Sequence, residues 1–219
     1  MTNFNDNILT LIKERRSVRL FNGNKIPREE ILKIIEAAIW APTGCNNQEL
    51  KFLILDKKEQ IDEIIEFKPF FKGVSCIVLV FCDMSLPMSK RIYTNKQGRN
   101  LPYIDTGLAL ANMILYAKSR GIDSCIFNLS EFHFKPSRTG KNLMRKIFDK
   151  IIITLGLHRL IKENLEFYLR NHLKIPKELK IMCGVAFGYA KKYPDVKTEM
   201  HGGKRIMREK VDHYIINKW

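Results

Sequence analysis

Hydrophobic residues along the chain follow two patterns, one with helical spacing and one made of short continuous runs. Apolar positions three and four residues apart predict amphipathic helices. These helical segments lie at 8–12, 31–40, 61–65, 105–120, 143–148 and 165–169. Short apolar runs, some rich in Val and Ile, predict buried strands. These runs lie at 52–55, 75–81, 124–127 and 181–187.

The order of these segments predicts the fold class. Helices separate the strands well, so a purely antiparallel meander is not expected. We predict one α+β domain over residues 1–219, with helices packed around a small, mixed, mostly antiparallel sheet. The clearest helix runs from 105 to 120, and Gly121 follows it as a stop signal.

Cysteine usage and the N-terminus bear on location. The chain has five cysteines, an odd number, and no Cys-x-x-Cys. Cys76, Cys125 and Cys183 sit in apolar runs, where a reduced cysteine behaves as a small hydrophobe. Residues 1–7 are polar and do not resemble a signal peptide, and no apolar run approaches the ~20 residues that span a bilayer. We therefore expect a cytoplasmic protein.

The formal net charge of +15 permits two interpretations. A basic protein can bind a polyanion such as nucleic acid or an acidic membrane surface. Here the lysines are spread along the whole chain without a basic block. This distribution favours a solvated surface around a site for an anionic cofactor, and we expect neither nucleic acid nor a membrane as partner. Nucleic-acid binding remains the alternative from another class, and it predicts strongly salt-dependent binding.

The first candidate binding segment contains Arg15, Arg16, Ser17 and Arg19. Alternate residues of an extended segment point the same way, so Arg15, Ser17 and Arg19 could converge on one ligand. Forked arginine donors and a hydroxyl suit phosphate oxygens. Taken alone, the segment favours an exposed basic turn, which any protein this basic would show.

The second candidate segment is the loop 42–48. Its polar groups could contact a heterocycle or a ribityl chain, although they are also typical of an ordinary turn. These residues are Pro42, Thr43, Gly44, Cys45, Asn46, Asn47 and Gln48. Gly44 is expected to provide unusual backbone angles. No histidine is near Cys45 in sequence, which disfavours a catalytic thiol.

A third candidate is the pair Lys204 and Arg205, which follows two glycines. Cations beside glycines suit a phosphate, although a solvated tail explains them equally well. Several other site classes lack support. The sequence contains no phosphate loop, no Gly-x-Gly-x-x-Gly and no nucleophile elbow, and its histidines lack metal-ligand spacing, so no metal site is predicted.

Taken in order, these segments resemble the FMN-dependent nitroreductase family. The resemblance is carried by RRSVRLF at 15–21, AAIWAPTGCNNQ at 37–48, DTGLALANMILYAKSRGIDSC at 105–125, LKIPKELKIMCGVAFGY at 173–189 and KRIMREKV at 204–211. The motifs are weak singly and specific together. The chain departs from the family pattern at Glu49 and Ala190, where the family often has proline.

The resemblance implies a homodimer with two FMN molecules at the subunit interface and a C-terminal tail that wraps the partner. Arg15 and Ser17 would hold the flavin phosphate, and Arg19 would lie near the N1/O2 edge of the ring. The backbone at 125–128 would approach N5. The remaining implied cofactor residues are Arg16, without a defined role, the loop residues Pro42, Thr43, Asn46 and Gln48, and the phosphate-site pair Lys204 and Arg205.

The family's chemistry implies an oxidoreductase. NADH or NADPH would give a hydride to flavin N5, and a small conjugated or nitro-aromatic acceptor would receive it in a ping-pong cycle. No catalytic side chain is required, because the flavin carries the chemistry and Arg19 stabilises the charge of its reduced form. Residues 128–173 would form a lid over the flavin, and Lys96, Gln97 and Arg99 could face flavin or substrate. Two alternatives remain: a flavin enzyme that dehydrogenates or remodels one metabolite, and a non-catalytic flavin sensor.

Overall fold

The computed structural model describes residues 4–67, 71–86, 100–129, 165–194, 200–201 and 204–205. All four predicted strands are present within these residues. The helices are α1 (Phe4–Glu14), α2 (Arg28–Ile39), α3 (Lys58–Phe67), α4 (Leu101–Ser119) and α5 (Leu165–His172), with a short 3-10 turn at Gly44–Asn46. The strands are β1 (Leu50–Leu55), β2 (Cys76–Asp83), β3 (Asp123–Phe127), β4 (Leu179–Gly188), β5 (Met200–His201) and β6 (Lys204–Arg205). The helical spacing at 143–148 lies outside the described residues.

The main sheet has the strand order β1-β2-β4-β3, and each neighbouring pair is antiparallel. The expectation that the strands do not form a plain meander is confirmed, because β4 inserts between β2 and β3. A parallel bridge between Ser17 and Ser124 adds the N-terminal segment to the outer edge of β3. The sheet is therefore mostly antiparallel with one parallel contact, in agreement with the predicted α+β class.

Helices cover both faces of the sheet. On one face, side chains of α2 and α4, such as Ile34 and Met113, pack against Val78 of β2. On the other face, side chains of α3 and α5, such as Ile64 and Leu169, belong to the second buried cluster. Because successive strand residues point to opposite faces, β2 must be apolar at nearly every position. This double burial explains the continuous apolar run in the sequence.

The limits of α4 differ from the prediction at one end. The helix begins at Leu101, four residues before the predicted start, and Pro102 is accommodated in its first turn. Proline is tolerated there because the amides of the first turn have no partner within the helix. The predicted stop is confirmed: Gly121 has φ +72°, and the amide of Ile122 donates to the carbonyl of Ala117 at 2.9 Å. The early start places Asp105 inside the helix, where it is buried.

The predicted lid at 128–173 is described only at its ends. Leu129 and Leu169 are both buried in the core beside α3, so these ends belong to the domain's interior. Residues 130–164 and the tail 206–219 lie outside the described residues, and both the lid and the swapped tail stay predictions. No helix within the described residues combines the length and the apolar composition needed to cross a lipid bilayer.

Candidate functional site

The segment 15–19 leaves α1 and runs along the outer edge of β3. The amide of Val18 donates to the carbonyl of Ser124 at 3.0 Å, and Val18 is fully buried in the core. In an extended segment, neighbours of an inward side chain face the other way. Ser17 and Arg19 therefore lie on the side opposite to Val18, as the sequence predicted for the alternating residues.

The charges of Arg15 and Arg19 act on the same buried thiol, that of Cys125 in β3. Burial raises the pKa of the Cys125 thiol, and the positive charges of Arg19 and Arg15 oppose that rise. Both positive charges therefore lie within electrostatic range of this sulfur. In the part of the chain that the structure describes, no ion pair uses Arg15 or Arg19. A pair of unneutralised cations beside an edge strand is suited to an anionic ligand.

Arg16 has a different local environment. Its guanidinium donates to the carbonyl of Lys13 and, at 2.9 Å, to the carbonyl of Arg15. These contacts satisfy carbonyl groups at the end of α1, where the helix has no further amide to offer. The structure thus gives Arg16 a role in ending α1, and its role in cofactor binding stays a prediction.

The loop between α2 and β1 has an unusual backbone. Three of its non-glycine residues have a left-handed conformation, namely Cys45 (φ +53°), Asn46 (φ +53°) and Gln48 (φ +51°). The expectation that Gly44 supplies the unusual angles is wrong. Gly44 instead occupies a tight place, because a Cβ there would lie 3.3 Å from a terminal methyl carbon of Leu101. Left-handed non-glycine residues are costly and persist where surrounding contacts hold them.

Two hydrogen bonds hold this loop. The amide of Gly44 donates to Oδ2 of Asp105 in α4 at 3.0 Å, and the amide of Gln48 donates to the hydroxyl oxygen of Thr43 at 3.1 Å. Thr43 therefore shapes the loop from within. The residues whose side chains are exposed are Pro42, Cys45, Asn46 and Gln48. Of the predicted cofactor residues in this loop, Pro42, Asn46 and Gln48 are thus open to a ligand.

A buried pair of carboxyl groups lies beneath the loop, and the sequence analysis did not identify it. Glu49 is 0% exposed and Asp105 is 3% exposed, and their side chains hydrogen bond to each other. Burial raises the pKa of Glu49, and the hydrogen bond and charge of Asp105 raise it further. The sequence feature that could have indicated this pair is Glu49 itself, because the related family often has proline at that position.

The two candidate segments lie at opposite corners of one subunit. Ser17 is bridged to Ser124 beyond β3, whereas the loop precedes β1 on the other edge. The sheet register and ordinary strand spacings place them about 28 Å apart. The length of helix α4 supports this separation. The loop is hydrogen bonded to Asp105 near the start of α4, and β3 begins shortly after α4 ends at Ser119. The helix rises about 21 Å between these two residues. A ligand that lies against the edge of β3 is therefore remote from the loop of the same chain.

The remaining predicted site residues are described only in part. Lys204 and Arg205 form β6, which pairs with β5 in a separate two-stranded ribbon. Their side chains lie outside the described residues, as do Lys96, Gln97 and Arg99. Their roles toward a cofactor or substrate stay predictions.

Several relatives align with large parts of the chain. A provisionally named NADH dehydrogenase/NAD(P)H nitroreductase of Archaeoglobus fulgidus is 25% identical over 207 residues, which cover 92% of this chain and 97% of that protein. A protein of Methanothermobacter thermautotrophicus with the same provisional name is 28% identical over 118 residues, 52% of this chain and 57% of its own length. The iodotyrosine deiodinase of Thermotoga neapolitana is 25% identical over 150 residues, 56% of this chain and 74% of its own.

Solved structures share the fold. An FMN-dependent nitroreductase of Clostridium difficile superposes with a TM-score of 0.61 at 18% identity, covering 89% of this chain and 98% of that one. A provisionally assigned nitroreductase of Desulfovibrio desulfuricans, solved in complex with FMN, gives a TM-score of 0.60 at 19% identity and covers 96% of each chain. At this identity, the likeness establishes the fold.

The family itself follows from the sequence profile. The model of the Nitroreductase family matches residues 12–68 and 66–149, a span that includes the segment beside β3, the loop before β1 and all of α4. It extends over more than half of the chain. The protein is therefore a member of the Nitroreductase family and, with it, an oxidoreductase.

Proposed function

We propose that the protein is an FMN-dependent oxidoreductase that takes a hydride from NADH or NADPH and delivers it to a small conjugated or nitro-aromatic acceptor. The observation that carries the proposal is the arrangement of Arg15, Ser17 and Arg19 beside β3. Family membership and an FMN-bound structural relative support the choice of cofactor.

The donor set suits FMN. Two guanidinium groups near one thiol and a hydroxyl on the same segment provide the forked and single donors that a phosphate accepts. In this proposal, bound FMN supplies the hydride chemistry, while Arg15 and Ser17 hold its phosphate. Arg19 stabilises negative charge at the N1/O2 edge of the ring.

The edge of β3 provides a further part of the proposed site. The carbonyl of Ser124 points toward Val18, away from β4. Backbone groups of a strand repeat their direction every second residue, so those of Ile126 face the same open side. This side is where the resemblance places the N5 edge of the flavin.

The site we propose is completed by a second copy of the chain. The loop 42–48 of one subunit cannot reach the cofactor beside its own β3, but it can reach one held by the partner. Exposed apolar side chains support a homodimer. Tyr103 and Ile104 of α4 are 56% and 55% exposed, and Ile39 and Trp40 at the end of α2 are 63% and 78% exposed. Apolar surface of this kind marks an interface.

The proposal predicts the spectrum of the protein. Protein reconstituted with FMN should retain it in equimolar amount after gel filtration. Anaerobic NADH or NADPH should bleach the flavin absorbance, and a nitro-aromatic acceptor should restore it. Protein that takes up no FMN would refute the proposal, and flavin that neither nucleotide reduces would favour the sensor or the metabolite-specific alternative.

Removing the phosphate contacts should weaken FMN binding. Each of the variants Arg15→Ala and Ser17→Ala loses one hydrogen bond to a charged group, which contributes about 1.5–3 kcal/mol, so Kd should rise about tenfold or more. Fluorescence titration with FMN measures the change. Arg28→Ala is the matched control, because it removes the same charge from an exposed arginine paired with Asp56. An equal loss in Arg28→Ala would assign the effect to net charge alone.

One relative suggests a second acceptor class. The deiodinase of T. neapolitana acts, by its name, on iodotyrosine. A halogenated phenol therefore belongs beside nitro-aromatics and quinones in the acceptor panel. Release of halide on reoxidation of the reduced enzyme would favour a dehalogenase over a nitroreductase.

A further inference from the structure

The buried carboxyl groups of Glu49 and Asp105 join the loop before β1 to helix α4. Both side chains are almost fully excluded from solvent, and they hydrogen bond to each other. Oδ2 of Asp105 also accepts the amide of Gly44 at 3.0 Å. The contacts of Asp105 with Gly44 and with Glu49 therefore fix the loop on both sides of its left-handed residues.

This geometry requires a proton. An ionised carboxylate only accepts hydrogen bonds, so two carboxyl groups can bond to each other only when one is protonated. Oδ2 of Asp105 is already occupied by the amide of Gly44. We assign the proton to Glu49, because burial and the neighbouring Asp105 carboxyl raise the pKa of Glu49.

The other groups around Glu49 leave this assignment in place. The backbone amide of Glu49 hydrogen bonds to the Glu49 carboxyl and opposes the rise of its pKa, and the Asn47 side chain opposes it to a smaller extent. Burial remains the largest cause, so the pKa is raised. From β2, the amide of Asp83 donates to the Glu49 carbonyl at 2.8 Å. The pKa of the Asp83 carboxyl is itself lowered, by hydrogen bonds from Ser85 and by the charge of Lys51, so this neighbour is ionised.

We propose that Glu49 and Asp105 are positioning residues that share one proton and hold the loop 42–48 in its ligand-binding shape. Loss of the proton replaces a hydrogen bond with repulsion between two buried carboxylates. The left-handed residues are then free to relax, and the exposed side chains of Asn46 and Gln48 lose their positions. The inference rests on the proposed function where it concerns FMN, whereas the coupling between the loop and α4 stands without it.

The direction of the pH dependence follows from the raised pKa of Glu49. The stabilising contribution is complete below the ordinary glutamate value of 4.5 and is lost as the pH rises through the higher folded-state value. Both the stability of the protein without FMN and its affinity for FMN should therefore fall as the pH rises above 4.5 and through the raised pKa of Glu49.

The test compares wild type with Glu49→Gln. Glutamine has the shape of protonated glutamate and donates to Asp105, but it has no proton to lose. Melting temperatures of the FMN-free protein and Kd for FMN are measured across the same pH series. Relative to Glu49→Gln, wild type should lose stability and about tenfold in affinity for FMN as the pH rises, because only wild type has the Glu49 proton to lose. Ionisation of the FMN phosphate affects both proteins equally and cancels in the comparison.

Two further variants keep the outcome decisive. Asp105→Asn removes the neighbouring carboxyl and can donate to an ionised Glu49, so its pH dependence should be weaker than that of wild type. Glu49→Ala should weaken the loop at every pH. Parallel pH profiles of wild type and Glu49→Gln in both measurements would overturn the inference. If no variant binds FMN, the proposed function fails, while the melting profiles still decide the role of the pair.

Discussion

In the proposed homodimer, replacing Leu108 with aspartate should give a monomer that no longer retains FMN. Leu108 is 40% exposed and lies on α4 one turn after Ile104, on the face that also carries Tyr103. Gly107 adjoins them, and space beside it is open. A small residue among exposed apolar ones allows close approach of a second helix. A buried, unpaired carboxylate in such an interface costs several kcal/mol, enough to dissociate an ordinary dimer.

The loss of FMN would follow from the positions of the two candidate segments. One subunit holds Arg15, Ser17 and Arg19 beyond β3, and its own loop lies at the opposite corner of the sheet. A monomer therefore presents only half of the proposed site. Because the substitution is remote from Arg15 and Ser17, weaker binding would report the missing partner loop.

Sedimentation velocity and FMN retention on gel filtration measure the two effects separately. Leu108→Met keeps the side chain apolar and similar in volume, so it should remain dimeric and retain FMN. Circular dichroism checks that the aspartate variant is folded. A folded monomer with unchanged FMN affinity would refute the two-subunit site, and an unchanged dimer would place the interface elsewhere.

The core elements of the fold were predictable because buried strands appear in the sequence as continuous apolar runs. The strands β2 and β4 are buried, β2 on both faces, and their apolar runs identified them. The start of α4 was missed because it depends on Pro102, which usually argues against a helix but fits its first turn. The order of the strands depends on contacts between distant segments, which local spacing does not encode.

The candidate site shows the same division. The inward direction of Val18 between Ser17 and Arg19 agrees with the predicted alternation, because it depends only on a locally extended backbone. The convergence of Arg15, Ser17 and Arg19 on one ligand stays a prediction. The conformation of the loop was not predictable, since its left-handed angles fall on Cys45, Asn46 and Gln48 and not on the glycine. Those angles are imposed by contacts with α4, a helix far away in sequence.

The second large effect is expected at Gly73, which anchors the segment that follows Arg19. A Cβ at Gly73 would lie 2.4 Å from the carbonyl oxygen of Phe21 and 2.9 Å from its carbon. The segment cannot move aside freely, because the amides of Phe21 and Gly23 donate to the carbonyls of Lys72 and Gly73. With φ at +74°, Gly73→Ala combines this clash with an unfavourable backbone angle and should destabilise the fold by about 3–5 kcal/mol.

Gly23→Ala separates the two causes. Gly23 also has a positive φ of +88°, but nothing lies within 4 Å of a Cβ placed there. Its cost is therefore the backbone angle alone, about 1–2 kcal/mol. Urea unfolding should show a far lower midpoint for Gly73→Ala than for Gly23→Ala, and equal midpoints would refute the clash. Arg19 is only two residues from Phe21, so displacement of Phe21 should also displace Arg19. Any Gly73→Ala protein that folds should therefore bind FMN more weakly than Gly23→Ala. That result would show that the packing of Gly73 against Phe21 supports the proposed cofactor site.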